Sequence, residues 1–160
     1  MKGLDAEMLA HNCWATQRLL EFCDSLEPQI LEKTAPGTAG SIIVTLRHLI
    51  AAEERYLAFL EGVARRTEVM EAADLALSEL RTEAAGRAER WERALGAHED
   101  PDEVLVRRRP DGTEDRVAAK TVFVQAVHHG NDHRTHVCTV LGSLGLDPPD
   151  LSAWAYYGEE

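Results

Sequence analysis

The sequence predicts an all-α protein, a four-helix bundle formed by one domain that spans residues 1–160. Four stretches repeat apolar residues at intervals of three and four, the period of a helix with one buried face. Amphipathic helices of about five to seven turns are typical of such bundles. A length of 160 residues suits one domain with its own core, since domains commonly hold about 100–200 residues.

Glycine and proline separate the four predicted helices. The helices span Leu4 to Ser25, Ser41 to Glu61, Asp74 to Ala94 and Ala119 to Leu144. Each is followed within a few residues by a helix breaker: Pro28, Gly62, Gly96 and Gly145. Glycine beyond a helix end favours termination, and proline cannot continue a helix. Ser41 is the expected N-cap of the second helix because its hydroxyl can accept a hydrogen bond from the first turn.

A short hairpin-like excursion is expected between the third and fourth helices. The β-prone runs Val104–Arg109 and Glu114–Val117 flank the segment Pro110-Asp111-Gly112-Thr113. Asp-Gly between such runs is typical of a tight turn. The C-terminal segment is too aromatic for a free tail, and we expect it to pack on the body through Trp154, Tyr156 and Tyr157.

The charge balance argues against a nucleic-acid partner. Seventeen Lys and Arg stand against 28 Asp and Glu, which gives a net charge of −11. A field of that sign repels phosphate backbones. The basic run Arg107-Arg108-Arg109 has acidic flanks, and we interpret it as part of a solvated strand or turn.

Hydropathy and cysteine usage predict a cytoplasmic protein that has no membrane partner. No apolar run approaches the ~18 residues needed to span a bilayer. The start of the chain, Met1 to Asp5, has no apolar signal core. The cysteines are odd in number and widely spaced, which fits free thiols in a reducing compartment: Cys13, Cys23 and Cys138.

Histidines carry the functional signal of this sequence. Four of the seven lie between His128 and His136. His129 and His133 are one helical turn apart, on the predicted apolar stripe of the fourth helix. Protonating two adjacent buried imidazoles would cost free energy, because two like charges would lie close together away from water. A bound divalent metal ion avoids that cost, because it binds imidazole in the neutral form.

A third ligand should come from another helix. His48 is the best candidate, since it lies at the shoulder of the second helix's apolar stripe. His11 on the first helix is a weaker candidate for a fourth ligand. A rival set of His129, His133 and His136 stays open, although three ligands from one helix rarely give open tetrahedral geometry.

Other polar groups near these positions are candidates for a supporting role. Asp132 is one turn from both His128 and His136, so it could orient either ring by hydrogen bonding. Glu53 and Asp132 are candidate proton carriers. His98 lies near a helix end, where we expect it to be solvated. The fourth helix contains no Glu-x-x-His, which argues against a di-iron carboxylate site.

These motifs resemble those of the DinB/YfiT-like superfamily of bacterial four-helix-bundle metalloenzymes. The segment His11-Asn12-Cys13-Trp14-Ala15 is similar to the family's N-x-W-A opening. The stretch from Ser41 to Glu53 looks like its S-x…L-x-H-x-x-x-x-E segment. The stretch from His128 to Arg134 is similar to N-H-x-x-H-H-R-G-Q.

The resemblance implies a bound divalent ion, zinc or nickel, and a homodimer. The family's metal ligands would fall on His48, His129 and His133. Some relatives transfer low-molecular-weight thiols such as bacillithiol or mycothiol, or are mycothiol-dependent isomerases. The sequence departs from the family pattern beside the ligands, at His128, Asp132 and Thr135-His136.

Three functions follow as hypotheses. The favoured one is a metal-dependent enzyme of the thiol S-transferase or hydrolase type, acting on a small molecule, because three histidines leave a coordination position open. The second is a metal-stabilised stress-response or binding protein without turnover. The third is a helical interaction module whose histidines bind no ion. An enzyme needs a groove and a solvent path beside the ion.

Overall fold

The computed structural model describes residues 3–70, 74–108 and 111–158. These ranges are mainly helical, which confirms the predicted class. The α-helices are α1 Leu4–Asp24, α2 Pro28–Leu31, α3 Ile42–Leu60, α4 Leu77–Ala85, α5 Arg87–Ala97, α6 Ala119–Ser143 and α7 Ala153–Tyr157. A 3-10 turn spans Thr67–Val69, and the strands are β1 Val104–Arg108 and β2 Glu114–Ala118.

The bounds of α1, α3 and α6 agree with the predicted helices to within two residues. The Ser41 hydroxyl caps α3 by accepting a hydrogen bond from the Val44 amide at 3.4 Å. Gly62 and Gly145, at φ of 66° and 76°, lie in the left-handed region just beyond α3 and α6. Pro28 does more than close α1, because it also begins the short helix α2.

The prediction of one continuous third helix from Asp74 to Ala94 is wrong. Residues 74–76 are not helical, and the remainder forms two helices that break at Gly86. The break turns Arg87 into the core, where its guanidinium lies 2.9 Å from the Glu54 carboxylate. Ala88, which the apolar pattern places in the core, is exposed as a result.

The expected hairpin is present between α5 and α6. Strands β1 and β2 pair antiparallel, with Val104 opposite Ala118 and Arg108 opposite Glu114. Gly112 turns the chain at φ 85°. Arg109 and Pro110, which the hairpin prediction included, lie outside the described residues. Strand β2 runs directly into α6, so the hairpin is attached to the helix that carries most of the histidines.

Two groups of buried side chains hold the helices together. One joins α1, α3, α4 and α6 and includes Leu19, Leu46, Leu80 and Leu141. The other joins α1, α3, α5 and α6 and includes Leu9, Leu57, Trp91 and Ala126. The cysteines are free thiols, as expected. Among the described residues, no helix has the length and hydrophobicity that crossing a membrane requires.

The C-terminal segment packs on α1. The His11 imidazole lies 2.9 Å from the Leu151 carbonyl oxygen, and its ring contacts Tyr156 at 5.5 Å between centroids. The Tyr157 hydroxyl donates to Glu7 at 2.9 Å. The prediction that this aromatic segment packs on the body is therefore confirmed, although Trp154 itself is largely exposed.

Candidate metal centre

Helices α3 and α6 bring three histidines together. The Nε2 atoms of His48 on α3 and His129 on α6 are 3.0 Å apart. The ring of His133 lies 4.6 Å from that of His48 and 4.3 Å from that of His129, measured between centroids. One nitrogen from each of the three rings falls within 4.8 Å of the others. The two histidines of α6 thus face a third that is 81 residues away in sequence.

The three histidines lie at the edge of the core and are half-buried. The central buried line of α6 consists of Val122, Ala126, Gly130, Arg134, Val137 and Leu141. His129 and His133 each precede a member of that line by one position. The expectation that they interrupt the apolar seam itself is therefore corrected, and their edge position leaves one side of the group open toward solvent.

Partial burial favours the neutral form of His129 and His133. Removal from water, reinforced by the neighbouring rings of His133 and His48, lowers the pKa of His129 to about 4. Burial, reinforced by the neighbouring rings of His48 and His136, also lowers the pKa of His133. Neutral imidazole is the form that binds a metal, so no proton has to be displaced from these two rings near pH 7.

The donor set fits a divalent transition ion. Imidazole nitrogens bind zinc at about 2.0–2.1 Å, which places two tetrahedral ligands about 3.3 Å apart. The 3.0 Å between His48 Nε2 and His129 Nε2 is close to that separation. In addition, the buried Nδ1 atoms of His129 and His133 have no hydrogen-bond partner within the described ranges. Three imidazoles suit zinc and nickel alike.

A groove opens beside the histidine group. Its volume is about 320 Å³, and its lining includes His48, His133, Ala39, Val44, Thr45 and Arg47. Arg47 is fixed there because its guanidinium lies 2.5 Å from the Asp74 carboxylate and donates to the Leu75 carbonyl oxygen at 2.9 Å. A small molecule can therefore approach the rings from solvent.

The four candidate supporting groups have separate surroundings. Asp132 lies 3.3 Å from His128, and both are exposed on the surface of α6. Glu53 is buried on α3 and accepts a hydrogen bond from Asn12 at 3.1 Å. His136 contacts His133 edge-on, with 5.5 Å between centroids. A supporting role for these residues stays a prediction.

Two other histidines are held elsewhere in the fold. His11 bonds the C-terminal segment, as described above, and so does not join the group. His98 lies 2.7 Å from Glu103 and 2.9 Å from the Leu60 carbonyl oxygen. The expectation that His98 is simply solvated is therefore wrong, because its side chain is only 10% exposed.

Sequence reasoning missed the buried polar residues behind the histidines. Asn12, Thr16 and Arg134 are buried together where α1 meets α6. Nearby, the Glu54 carboxylate is in contact with three guanidinium groups, those of Arg66, Arg87 and Arg90. Asn12 and Arg134 belong to the segments that carry the family resemblance, which was the available signal. No sequence motif pointed to Glu54 or Arg87.

Fold and site together define a mainly helical protein with a three-histidine group suited to a divalent ion. Residues 1–159 match the model of the DinB family, and the chain belongs to that family. The crystal structure of a DinB-like protein from Bacillus cereus ATCC 10987 is similar, with a TM-score of 0.67 and 16% identity over 91% of this chain and 94% of that one. At this identity the likeness supports the fold alone. No curated protein matches the chain.

Proposed function

We propose that this DinB-family protein is a metal-dependent enzyme of the thiol S-transferase or hydrolase type. In this proposal His48, His129 and His133 hold one divalent ion, zinc or nickel. The observation that carries it is the convergence of three half-buried histidines from two helices beside an open groove. Structural zinc sites are closed by four ligands, whereas three protein ligands leave a position for water or substrate.

Each element of the site has a distinct task in this proposal. When bound, the ion supplies Lewis acidity that activates a water molecule or a low-molecular-weight thiol. His129 and His133 stay neutral because they are buried, so they are ready to bind the ion near pH 7. Arg47, held by its ion pair with Asp74, lines the groove and offers guanidinium N–H donors there. Those donors suit substrates that carry a carboxylate or another hydrogen-bond acceptor.

The assembly is part of the proposal. We treat α1, α3, the α4–α5 pair and α6 as the four members of a bundle, and the protein as a cytoplasmic homodimer. Sedimentation equilibrium at micromolar concentration tests the dimer. A mass near 17.7 kDa instead of twice that value would contradict it.

A second candidate is a metal-stabilised binding protein without turnover. It is supported by the position of the ligands, which would tie α3 to α6 if an ion were bound. The two candidates share the metal and differ in whether substrate is converted. Turnover of small thiol and ester substrates, measured with and without metal, separates them.

Elemental analysis of untagged protein tests the metal site on which both candidates depend. We expect about one equivalent of a transition ion in the wild type and its loss in His133→Ala. His128→Ala is the matched control, because His128 lies on the same helix but its side chain is 67% exposed. If the wild type holds no metal and His133→Ala has unchanged stability, both candidates fail and the interaction module remains.

A further inference from the structure

A basic groove lies at the C-terminal end of α3. It has a volume of about 1070 Å³ and is bounded by α3, the segment that follows α3, and strand β1. Four arginines line it: Arg55, Arg65, Arg107 and Arg108. Asp111 is the one carboxylate among the described residues of its lining. In a chain with a net charge of −11, the lining of this groove contains more cationic than anionic side chains, and guanidinium groups are good donors to carboxylates and phosphates.

Each hairpin arginine is paired with the carboxylate of its cross-strand neighbour, which lies beside it on the same face of the hairpin. Arg107 and Asp115 are cross-strand neighbours, with 2.5 Å between Nη2 and the carboxylate. Arg108 is paired in the same way with Glu114 at 2.9 Å. A guanidinium has five N–H donors, so a bond to one carboxylate leaves donors for a second anion. The strand pairing thus holds the Arg107 guanidinium at the rim of the groove, whereas the side chain of Arg108, the next residue of the strand, projects to the other face of the hairpin.

The floor of the groove is apolar. Ala58, Phe59 and Val63 contribute from α3 and the segment beyond it, and Val106 contributes from β1. The Arg107 guanidinium lies over the Phe59 ring, 5.3 Å from its centroid. Apolar surface surrounded by arginines suits an organic molecule that has both a hydrophobic body and anionic groups.

The groove lies on the same side of α3 as the histidine group. Arg55 and Phe59 follow His48 by seven and eleven positions, which returns them to the same helix face at about 10 Å and 16 Å along the axis. Tyr56, between them, packs edge-on against His129 at 5.8 Å between centroids. One extended ligand could therefore reach both places.

We propose that this arginine groove binds an organic polyanion, a molecule with an apolar body and at least two carboxylate or phosphate groups. Binding in the groove stands without a metal. The further step, in which the groove holds the anionic end of a substrate whose other end meets the histidines, rests on the proposed function.

Calorimetric titration of the full chain with benzene-1,3,5-tricarboxylate at low salt tests the groove. We expect Arg65→Gln and Arg107→Gln each to weaken binding about tenfold, the size of one lost charge-assisted hydrogen bond. Arg116→Gln is the matched control: Arg116 lies on the same hairpin, is 63% exposed and does not line the groove. Its affinity should stay within about twofold of wild type, since only long-range charge is lost.

Two further probes check the ligand class. The uncharged benzene-1,3,5-trimethanol should not bind, and pyrophosphate should bind more weakly than the tricarboxylate because it has no apolar body. Absence of tricarboxylate binding, or equal weakening in Arg116→Gln, would overturn the proposal. Pyrophosphate binding as tightly as the tricarboxylate would overturn the apolar part of it. Arg65 is exposed, so its variant should fold normally even if Arg107→Gln does not.

Metal-free protein and His133→Ala separate this proposal from the metal site. We expect both to bind the tricarboxylate as the wild type does. If the wild type binds the tricarboxylate but holds no metal, only the proposed function is contradicted. If the wild type holds metal but does not bind the tricarboxylate, only the groove proposal is contradicted. If tricarboxylate binding requires the metal and is unchanged in Arg65→Gln, the anion binds the metal ion, and the groove proposal is overturned.

Discussion

Arg134 donates a hydrogen bond to the side-chain oxygen of Asn12 at 2.8 Å, and this contact joins α6 to α1 inside the core. Arg134 also donates to the Asn12 carbonyl oxygen and to the Thr16 hydroxyl. The Asn12 amide in turn donates to Glu53 of α3. Asn12 is therefore bonded to both helices that carry the histidines. Arg134 directly follows His133, so this contact helps to set how far α6 lies from α3.

Asn12→Ala should destabilise the fold by about 2–3 kcal/mol, since it removes buried hydrogen bonds to charged groups and leaves their partners unsatisfied. We also expect metal affinity to fall by about tenfold, because the two helices lose their shared anchor. Urea unfolding gives the first value, and competition with a chelator gives the second. Gln125→Ala, an exposed amide on α6, is the control. Equal effects in the two variants would contradict the anchoring role of Asn12.

Gly130→Ala should be destabilising although alanine favours helices. A Cβ at this position would lie 2.3 Å from the Asn12 side-chain oxygen and 2.9 Å from an Arg134 nitrogen. Displacing those groups costs about 1–3 kcal/mol, more than the ~1 kcal/mol that alanine gains over glycine in a helix.

Gly142 on the same helix is the matched control, since a Cβ there would meet nothing within 4 Å. Gly142→Ala should therefore stabilise the fold by about 0.5–1 kcal/mol. Thermal unfolding of both variants shows the sign of each change. Stabilisation by Gly130→Ala would mean that the close approach of Asn12 is not needed.

The acid stability of the protein should depend on Glu54. Burial alone would raise the pKa of this carboxyl, but hydrogen bonds from Arg66 and Arg90 and the charge of Arg87 hold it at about 2. The folded state therefore binds the proton less readily than the unfolded state. The stabilisation is complete above about pH 4.5 and is lost as the pH falls toward 2.

Urea unfolding at pH 7 and pH 3 tests this expectation on metal-free protein. Glu54→Gln should lower the free energy of unfolding by about 3 kcal/mol at pH 7, because it removes the carboxylate of buried ion pairs. The difference from wild type should shrink at pH 3. Glu89→Gln, an exposed residue of α5, is the control. An equal gap at both pH values would show that the charge of Glu54 is not responsible.

His48 and His136 distinguish the two ligand sets that the sequence left open. His48 Nε2 lies 3.0 Å from His129 Nε2, and His48 belongs to the group whose ligand atoms lie within 4.8 Å of one another, whereas His136 does not. We expect His48→Ala to lose its metal and His136→Ala to keep about one equivalent. Elemental analysis after dialysis measures both. The reverse result would favour the set taken from α6 alone.

The apolar period predicted α1, α3 and α6 well because each has one buried face and a clear stop signal. It was wrong across Gly86, where apolar residues continue in register from Leu80 to Trp91. At this break Arg87 is buried in a long-range ion pair with Glu54 of α3. Periodicity within one segment contains no information about such a partner.

The candidate site could be predicted only in part, because sequence spacing reveals neighbours within one helix and not partners on another. His129 and His133 share a helix, so their spacing alone brings them together. His48 was identifiable from its place beside the apolar stripe of α3. The anchor formed by Asn12 and Arg134 could not be derived from pattern, because a polar residue in a helix is ordinarily exposed until its partner on another helix is known.

The separation of His48 from His129 along the chain has a consequence for experiments on this protein. An unfolded chain retains only the local pair, His129 and His133, and the third ligand arrives when α3 docks on α6. Metal affinity is then thermodynamically linked to folding. A screen for variants that lose metal will therefore also return substitutions far from any ligand, at core positions such as Trp91, in proportion to how much they raise the unfolded fraction.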